Sequence, residues 1–434
     1  MAELKQKLRV AIIGGGVGGL TCAIALKDCR WLDVDLYESA SILTEIGAGI
    51  TLWHRTWTIL KNLGLEKDFL EITDEKPRDE PGPVFMFRLG DSASGFDLCE
   101  LMSTGAFFAG ARGFHRHDVQ KALLKNLPPG VKCHLSHRLL SYSETKDGIQ
   151  LEFQNGRTAL CNLLIAADGI KSIVRAKLMA KLYPEIDSKF NAPIFSGTLA
   201  YRGLFPVDEL AKRWPGHRAL KKRMMYCGKN KHVVVYPVSQ GRFINVVAFS
   251  SVLSDEGKPF DGPFIAEANK DEMMSNFLDW EDEVKVLLQC IDNPTVWAIH
   301  ALNPLKLYAS DRVVLLGDAA HAMTPHLGAG AGQAVEDAYV LGSLLSKSAA
   351  TLESIPKVLA AYNKIRQPYG NYILTTAKGE GLLYEFNAPG FEYIRDGGDR
   401  LKPREMEDMM EKVKEGWAWA WSTLDLDQEE AKAL

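Results

Sequence analysis

Two rhythms of apolar and polar positions run along the chain. Leu8-Arg-Val-Ala-Ile-Ile13 is a short apolar run rich in β-branched residues and stopped by glycines, and Leu20 to Leu26 then reads as a helix. A second strand follows at Val34-Asp-Leu-Tyr37. Two later runs, Asn162-Leu-Leu-Ile-Ala-Ala-Asp168 and Arg312-Val-Val-Leu-Leu-Gly-Asp318, are continuous apolar strands ended by a carboxylate, the signature of parallel strands buried on both faces. Between Lys76 and Gly95 the chain is rich in Pro, Gly and charge. From Pro193 to Phe249 the rhythm shortens to β-rich runs, Gly197 to Gly203, Lys231 to Tyr236 and Arg242 to Phe249, which predict a largely antiparallel sheet inserted into the first unit. After Glu336 the pattern is mostly helical, and the tail from Arg404 carries an amphipathic stretch with Trp417, Trp419 and Trp421.

Composition narrows the function classes. With 434 residues, 46% of them apolar and 24% charged, the chain can bury a large core in two or three units, which excludes disorder and fibres. Lys plus Arg number 51 against 55 Asp plus Glu, so there is no broad positive field to hold nucleic acid. No run reaches the roughly 18 to 20 apolar residues of a membrane span. The first apolar run leads into glycines and not into a cleavage site, so no secretion signal is expected. Seven scattered cysteines, without a C-x-x-C pair, indicate neither a disulfide framework nor a zinc site and fit a reducing, cytoplasmic setting.

The strand, Gly14-x-Gly16-x-x-Gly19, helix and second strand ending at Glu38 form a complete dinucleotide fingerprint. Gly14 permits the tight turn, Gly16 lets the backbone approach a pyrophosphate, and Gly19 lets helix and strand pack closely. The helix N-terminus faces the phosphates, and Glu38 accepts from the ribose hydroxyls.

Three elements then stand in order: the glycine fingerprint, Asp168-Gly169, and Gly317-Asp318-Ala-Ala-His321-Ala-Met-Thr-Pro325-His326-Leu-Gly328-Ala-Gly330-Ala-Gly332. Together they resemble the single-component FAD-dependent aromatic hydroxylases, the group A flavoprotein monooxygenases of the 4-hydroxybenzoate hydroxylase fold. Within that family they resemble the salicylate and 6-hydroxynicotinate hydroxylase branch. The likeness runs from residue 8 to about 385, helped by Glu45-Ile-Gly-Ala48-Gly49, His115-Arg116, Ala200-Tyr-Arg-Gly203, Asn245 to Phe249 and Tyr362-x-x-x-Arg366-x-Pro368. It implies an α/β fold: a Rossmann-like FAD-binding domain (1–78, 110–188 and 300–385), an inserted, mostly antiparallel substrate-binding sheet (79–109 and 189–299) and a helical C-terminal segment (386–434). It also implies that Asp318 binds the ribitol, that backbone at Gly330 and Ala331 contacts the isoalloxazine, that Arg116 reaches the flavin's phosphate and ribityl side, and that Ala48 belongs to the cofactor site. Asp318 as a mere helix cap is the plainer alternative. Asp168 has two readings, support of the nucleotide site or contact with the reductant. Only one complete fingerprint is present, so NADH or NADPH is expected as a transient visitor while FAD is resident.

An aromatic monooxygenase needs an electron-rich ring, most simply an ionised phenol, held near a base. Along Lys231 to Tyr236 the period of two puts His232, Val234 and Tyr236 on one face, so His232 and Tyr236 are candidates for a proton relay, or else an exposed histidine and a sheet tyrosine. The resembling 6-hydroxynicotinate enzymes carry His and Tyr at this spacing. His326, just ahead of the flavin-facing glycines, is the histidine expected nearest the reacting carbon, and His321 is expected to be structural. Arg202 is a candidate partner for a substrate carboxylate, or a structural arginine. Where the family usually has Gly-Pro-Asn, this chain has Trp53-His54-Arg55, which is expected to alter the pocket or the flavin's mobility. The expected reaction consumes O₂ and NAD(P)H and hydroxylates a small phenolic or hydroxybenzoate-type aromatic, with loss of CO₂ if the attacked carbon bears carboxylate. Its rivals are a tailoring monooxygenase of a larger phenolic or terpenoid metabolite and a flavin-binding protein without turnover. No nucleic acid, membrane or metal partner is expected, and the chain is expected to work as a monomer or homodimer.

Overall fold

The computed structural model describes residues 7–43, 49–73, 81–103, 114–347, 351–395 and 402–433. The apolar run Leu8–Ile13 lies inside a six-stranded sheet, flanked on one side by Leu32–Tyr37 and Lys132–His134 and on the other by Leu163–Ala166, Val313–Leu315 and Ala309–Ser310. All but the last pair are parallel, and the register aligns Ile13 with Tyr37 and Ala166, and Ala166 with Leu315. That alignment has a direct consequence. The residues that follow these ends, Gly14, Glu38, Asp168 and Asp318, are gathered at one carboxyl edge, where open α/β sheets bind ligands.

A second sheet has eight strands, in the order Ile265–Glu267, Thr295–Ala301, Ile194–Pro206, Phe243–Ser251, Lys231–Val238, Met224–Gly228, Pro83–Leu89 and Phe96–Met102. It is antiparallel apart from the pairing of Met224–Gly228 with Pro83–Leu89, a strand that lies within the stretch rich in Pro, Gly and charge. Alternation divides its two faces. Tyr201, Val233, Val235, Val246 and Ala248 pack against Met273, Phe277, Val284 and Leu287 of the covering helices, while Ala200, Arg202, His232, Val234, Tyr236, Val247 and Phe249 point the other way, into a cavity. A three-stranded meander, Leu139–Thr145, Gly148–Phe153 and Thr158–Cys161, has no counterpart in the reading from the sequence. Its strands are short and interleaved with polar turns.

Helix Gly330–Lys347 begins at the cavity and is anchored from behind by a buried polar network. Arg366 donates from Nε to Asp337 at 2.7 Å and pairs with Glu336, while His321 Nε2 meets Asp337 at 2.6 Å. Burial alone would raise the Asp337 carboxyl, but His321 and Arg366 hold it down at about 2. His321 is thus structural. The unusual Trp53-His54-Arg55 segment joins the C-terminal tail to this network. Arg55 grips Glu336 with two donors at 2.6 and 2.9 Å and also reaches Ser422 and the Thr423 carbonyl, and Trp53 meets Trp417 and Trp421 edge-on. The departure from Gly-Pro-Asn therefore fastens the tail over the cavity wall, where Trp53 and Trp417 both appear.

Candidate active site

A groove of about 490 Å³ runs along the carboxyl edge of the parallel sheet, lined by Gly14, Gly16, Glu38, Arg116, Asp168, Asp318, Gly330 and Ala331 among others. Gly14 has φ +107°, and a Cβ there would lie 2.1 Å from the Ala167 carbonyl oxygen. A Cβ on Gly19 would lie 1.9 Å from the Gly14 oxygen. Only glycine fits either place. Helix Val17–Ala25 starts at Gly16 without a side-chain cap, so its first amides are open to an anion in the groove. Glu38 accepts from the Gly15 and Ala40 amides, both at 2.7 Å, at the groove's far end. Asp318 is exposed, and among the described residues no hydrogen bond engages its carboxylate. Its Oδ1 lies 3.9 Å from where a Gly330 Cβ would stand. Donors at one end, carboxylates for hydroxyls at both and a glycine cradle between them fit a flavin dinucleotide.

Beyond Asp318 the groove opens into a second cavity of about 480 Å³, which shares Ile50, Arg116, Asp318, Gly330 and Ala331 with the first. Arg116 reaches both because strand Phe114–His115 pairs with Gly49–Ile50. The second cavity has aromatic walls, with Trp297, Phe249, Phe264, Trp53 and Trp417. Arg202 is half-buried in it with its guanidinium 4.7 Å over the Trp297 ring, its buried Nε has no hydrogen-bond partner, and among the described residues no carboxylate pairs with it. Burial lowers its pKa, as does the Arg116 charge, with only Tyr236 opposing. Such a cation calls for an anion.

Two histidines face the same space. His232 stacks on Phe249, with centroids 4.2 Å apart, and its ring lies 5.1 Å from that of His326. His232 Nδ1 meets Glu385 Oε1 at 2.8 Å, whereas His232 Nε2 and His326 Nδ1 have no partner. Burial pushes both histidines down to about 3, so both are neutral near pH 7. The proposed direct relay between His232 and Tyr236 is not formed. Sheet register puts His232 in a row with Phe249 and Tyr236 in a row with Asn245, four residues or about 13 Å further along the strand. Tyr236 lies instead near Arg202, whose charge opposes the rise that burial imposes on its hydroxyl.

Asp168 accepts from the Ile173 amide at 2.9 Å and so stabilises the start of helix Ile173–Leu182, while its other oxygen is buried without a partner. Burial raises its pKa. Ala48 lies outside the described residues. Glu385, Trp297, Phe264 and Trp417 are site residues that the sequence did not single out. Glu385 comes from the end of helix Ile355–Tyr384, more than a hundred positions from His232, and no local pattern links them. Nearby, Glu380 is 2% exposed, has one oxygen without a partner, and is pushed by burial up to about 8. An acid whose pKa is raised on folding loses stability as pH climbs from its unfolded value, near 4.5, through its folded one. Glu380→Gln is expected to raise Tm by about 2–4 °C at pH 8.5 and to leave it unchanged at pH 4. Melting curves at the two pH values check this.

The groove and the ring cavity together define a flavin-dependent enzyme acting on an aromatic compound. Residues 7–377 match the family model described as an FAD binding domain. A salicylate hydroxylase of Pseudomonas putida is 38% identical over 90% of this chain and 88% of its own length, and a 6-methylsalicylate 1-monooxygenase of Aspergillus terreus is 34% identical over 88% and 84%. A solved salicylate hydroxylase in complex with substrate superposes with a TM-score of 0.84 at 32% identity, covering 99% of this chain and 98% of that one. The chain belongs to the FAD-dependent aromatic monooxygenase family that includes these proteins, and it is an enzyme of that class. A flavin binder without turnover is not favoured. Among the described residues no helix is long and apolar enough to cross a membrane, and no cluster of His, Cys, Asp or Glu could hold a metal.

Proposed function

We propose that the chain hydroxylates an ortho-hydroxybenzoate of the salicylate type at the carbon bearing the carboxylate. The observation that carries this reading is the half-buried Arg202, a cation with its Nε unpartnered and with no carboxylate partner among the described residues, in the aromatic cavity that also holds two histidines with unpartnered nitrogens. The names of the relatives favour the same substrate class. FAD is assigned to Gly14, Gly16, Gly19, Glu38, Arg116, Asp318, Gly330 and Ala331, with Ala48 beside them. Asp168 is assigned to supporting that site. The cofactor part of the chain is taken as 1–78, 110–188 and 300–385 and the ring-binding sheet as 79–109 and 189–299, with 386–434 closing a wall. NAD(P)H is read as a visitor, since the chain has one fingerprint. The seven free cysteines support a cytoplasmic setting.

When bound and reduced, the flavin supplies an electrophilic oxygen drawn from O₂. The protein's part is to present the ring. Arg202 holds the carboxylate with its planar fork, Trp297 and Phe249 pack the ring, and Tyr236 stands beside the anion site. A neutral histidine, His232 or His326, takes the phenol proton, and the resulting phenolate pushes electron density into the ring carbon that receives oxygen. That carbon then loses CO₂, the electron pair of the broken bond returns to the ring, and the second oxygen atom leaves as water.

NADH oxidation across a panel of hydroxybenzoates tests this reading. Salicylate should stimulate it strongly, phenol and benzoate weakly. Phenol acting as well as salicylate would remove the carboxylate from the account.

A further inference from the structure

We propose that Glu385 is a positioning residue of this site, which holds His232 in the tautomer that accepts the phenol proton and takes up the proton that His232 releases from its other nitrogen. The inference rests on the reading that a phenol occupies the ring cavity. Four observations support it. The Glu385 carboxylate meets His232 Nδ1 at 2.8 Å, and the side chains are only 3% and 1% exposed, so water does not compete for the contact. The His232 ring lies flat on Phe249, at an interplanar angle of 9°. Its Nε2 has no partner and the residue lines the cavity. Glu385 is itself fixed where helix Ile355–Tyr384 ends, its amide donating to Gly381 and its carbonyl accepting from Asn230, with Ser251 hydrogen-bonded to its side chain.

The proton path balances. With Glu385 ionised, Nδ1–H donates to it and Nε2 carries the lone pair. The phenol O–H bond breaks and its proton joins Nε2, then the Nδ1–H bond breaks and that proton joins Glu385. The imidazole is neutral before and after, the carboxylate becomes a carboxylic acid, and the negative charge moves to the phenolate in the cavity that contains Arg202. No stable buried imidazolium is needed. Burial pushes His232 down to about 3 and Glu385 up to about 7, both in the direction of that final state. The other groups facing the pair are the His326 and Tyr384 rings, 5.1 and 5.5 Å from His232, the Ser251 hydroxyl, and the buried Cys227 thiol on the neighbouring strand.

The test uses the full-length FAD-loaded protein and 2-hydroxy-5-nitrobenzoate, whose phenolate has its own visible absorbance. In Glu385→Gln the ionised fraction of bound probe should fall about tenfold at fixed pH, and salicylate hydroxylation should lose about 10- to 100-fold in kcat with KM little changed. His232→Gln should show the same loss, and the double variant no further loss, because both residues serve one path. Wild-type ionisation in Glu385→Gln, or losses that multiply in the double variant, overturns the proposal. If Glu385→Gln does not fold, His232→Gln decides, since full ionisation there overturns it equally. Ionisation of the probe that depends on Glu385, without any hydroxylated product from the wild type, would keep the proton path and overturn only the substrate reading.

Discussion

Arg202→Leu should raise the KM for salicylate by about 10²- to 10³-fold, leave FAD content unchanged and raise the melting temperature of the ligand-free protein. Truncating one partner of a buried, hydrogen-bonded charge pair costs about 2–5 kcal/mol of binding. In the ligand-free chain the same guanidinium lies half-buried over Trp297, its Nε out of reach of water and with no carboxylate partner among the described residues, so its removal relieves a desolvation cost. The two signs together separate the readings. A structural arginine would lose stability on replacement, whereas an anion site awaiting its ligand gains stability and loses affinity. Arg202→Lys should recover only part of the affinity, since an ammonium lacks the planar fork that matches a carboxylate. Substrate titration and thermal melts on the same preparations check both signs.

Gly16→Val should give a folded protein that purifies with less flavin than wild type. Gly16 has φ −74° and ψ −174°, extended backbone that any residue adopts, and it lines the groove, so the added side chain stands where the pyrophosphate would lie. FAD affinity should fall by about tenfold or more, the equivalent of only about 1.4 kcal/mol. Gly14→Val should fail earlier, in folding, because its Cβ meets backbone at 2.1 Å and its φ is positive. Asp318→Ala should weaken FAD through the loss of an acceptor, with the fold intact. Flavin absorbance per folded protein distinguishes these outcomes, and full flavin retention in both Gly16→Val and Asp318→Ala would move the cofactor elsewhere.

What was legible in the sequence follows from how local each signal is. The glycine fingerprint, Asp168 and Asp318 could be read because each lies directly after an apolar strand, and parallel register brings strand ends together wherever they stand in the chain. Alternation also indicated that His232 and Tyr236 share a face. It did not give their separation, because two residues on one strand face can lie two cross-strand rows apart. Glu385 and Trp417 were out of reach for the opposite reason. Their place beside the cavity depends on where helix Ile355–Tyr384 ends and how the tail packs on Trp53, contacts that no short window contains. The Trp53-His54-Arg55 departure was visible as an oddity, but the ion pair from Arg55 to Glu336 that accounts for it spans 281 positions.

Hydroxylation under ¹⁸O₂ tests the central claim most directly. Purified FAD-loaded protein, NAD(P)H, salicylate and labelled dioxygen should yield catechol carrying one ¹⁸O atom, with CO₂ released in equal amount. NAD(P)H oxidation that salicylate does not stimulate, or that yields peroxide and unchanged salicylate alone, would contradict the account.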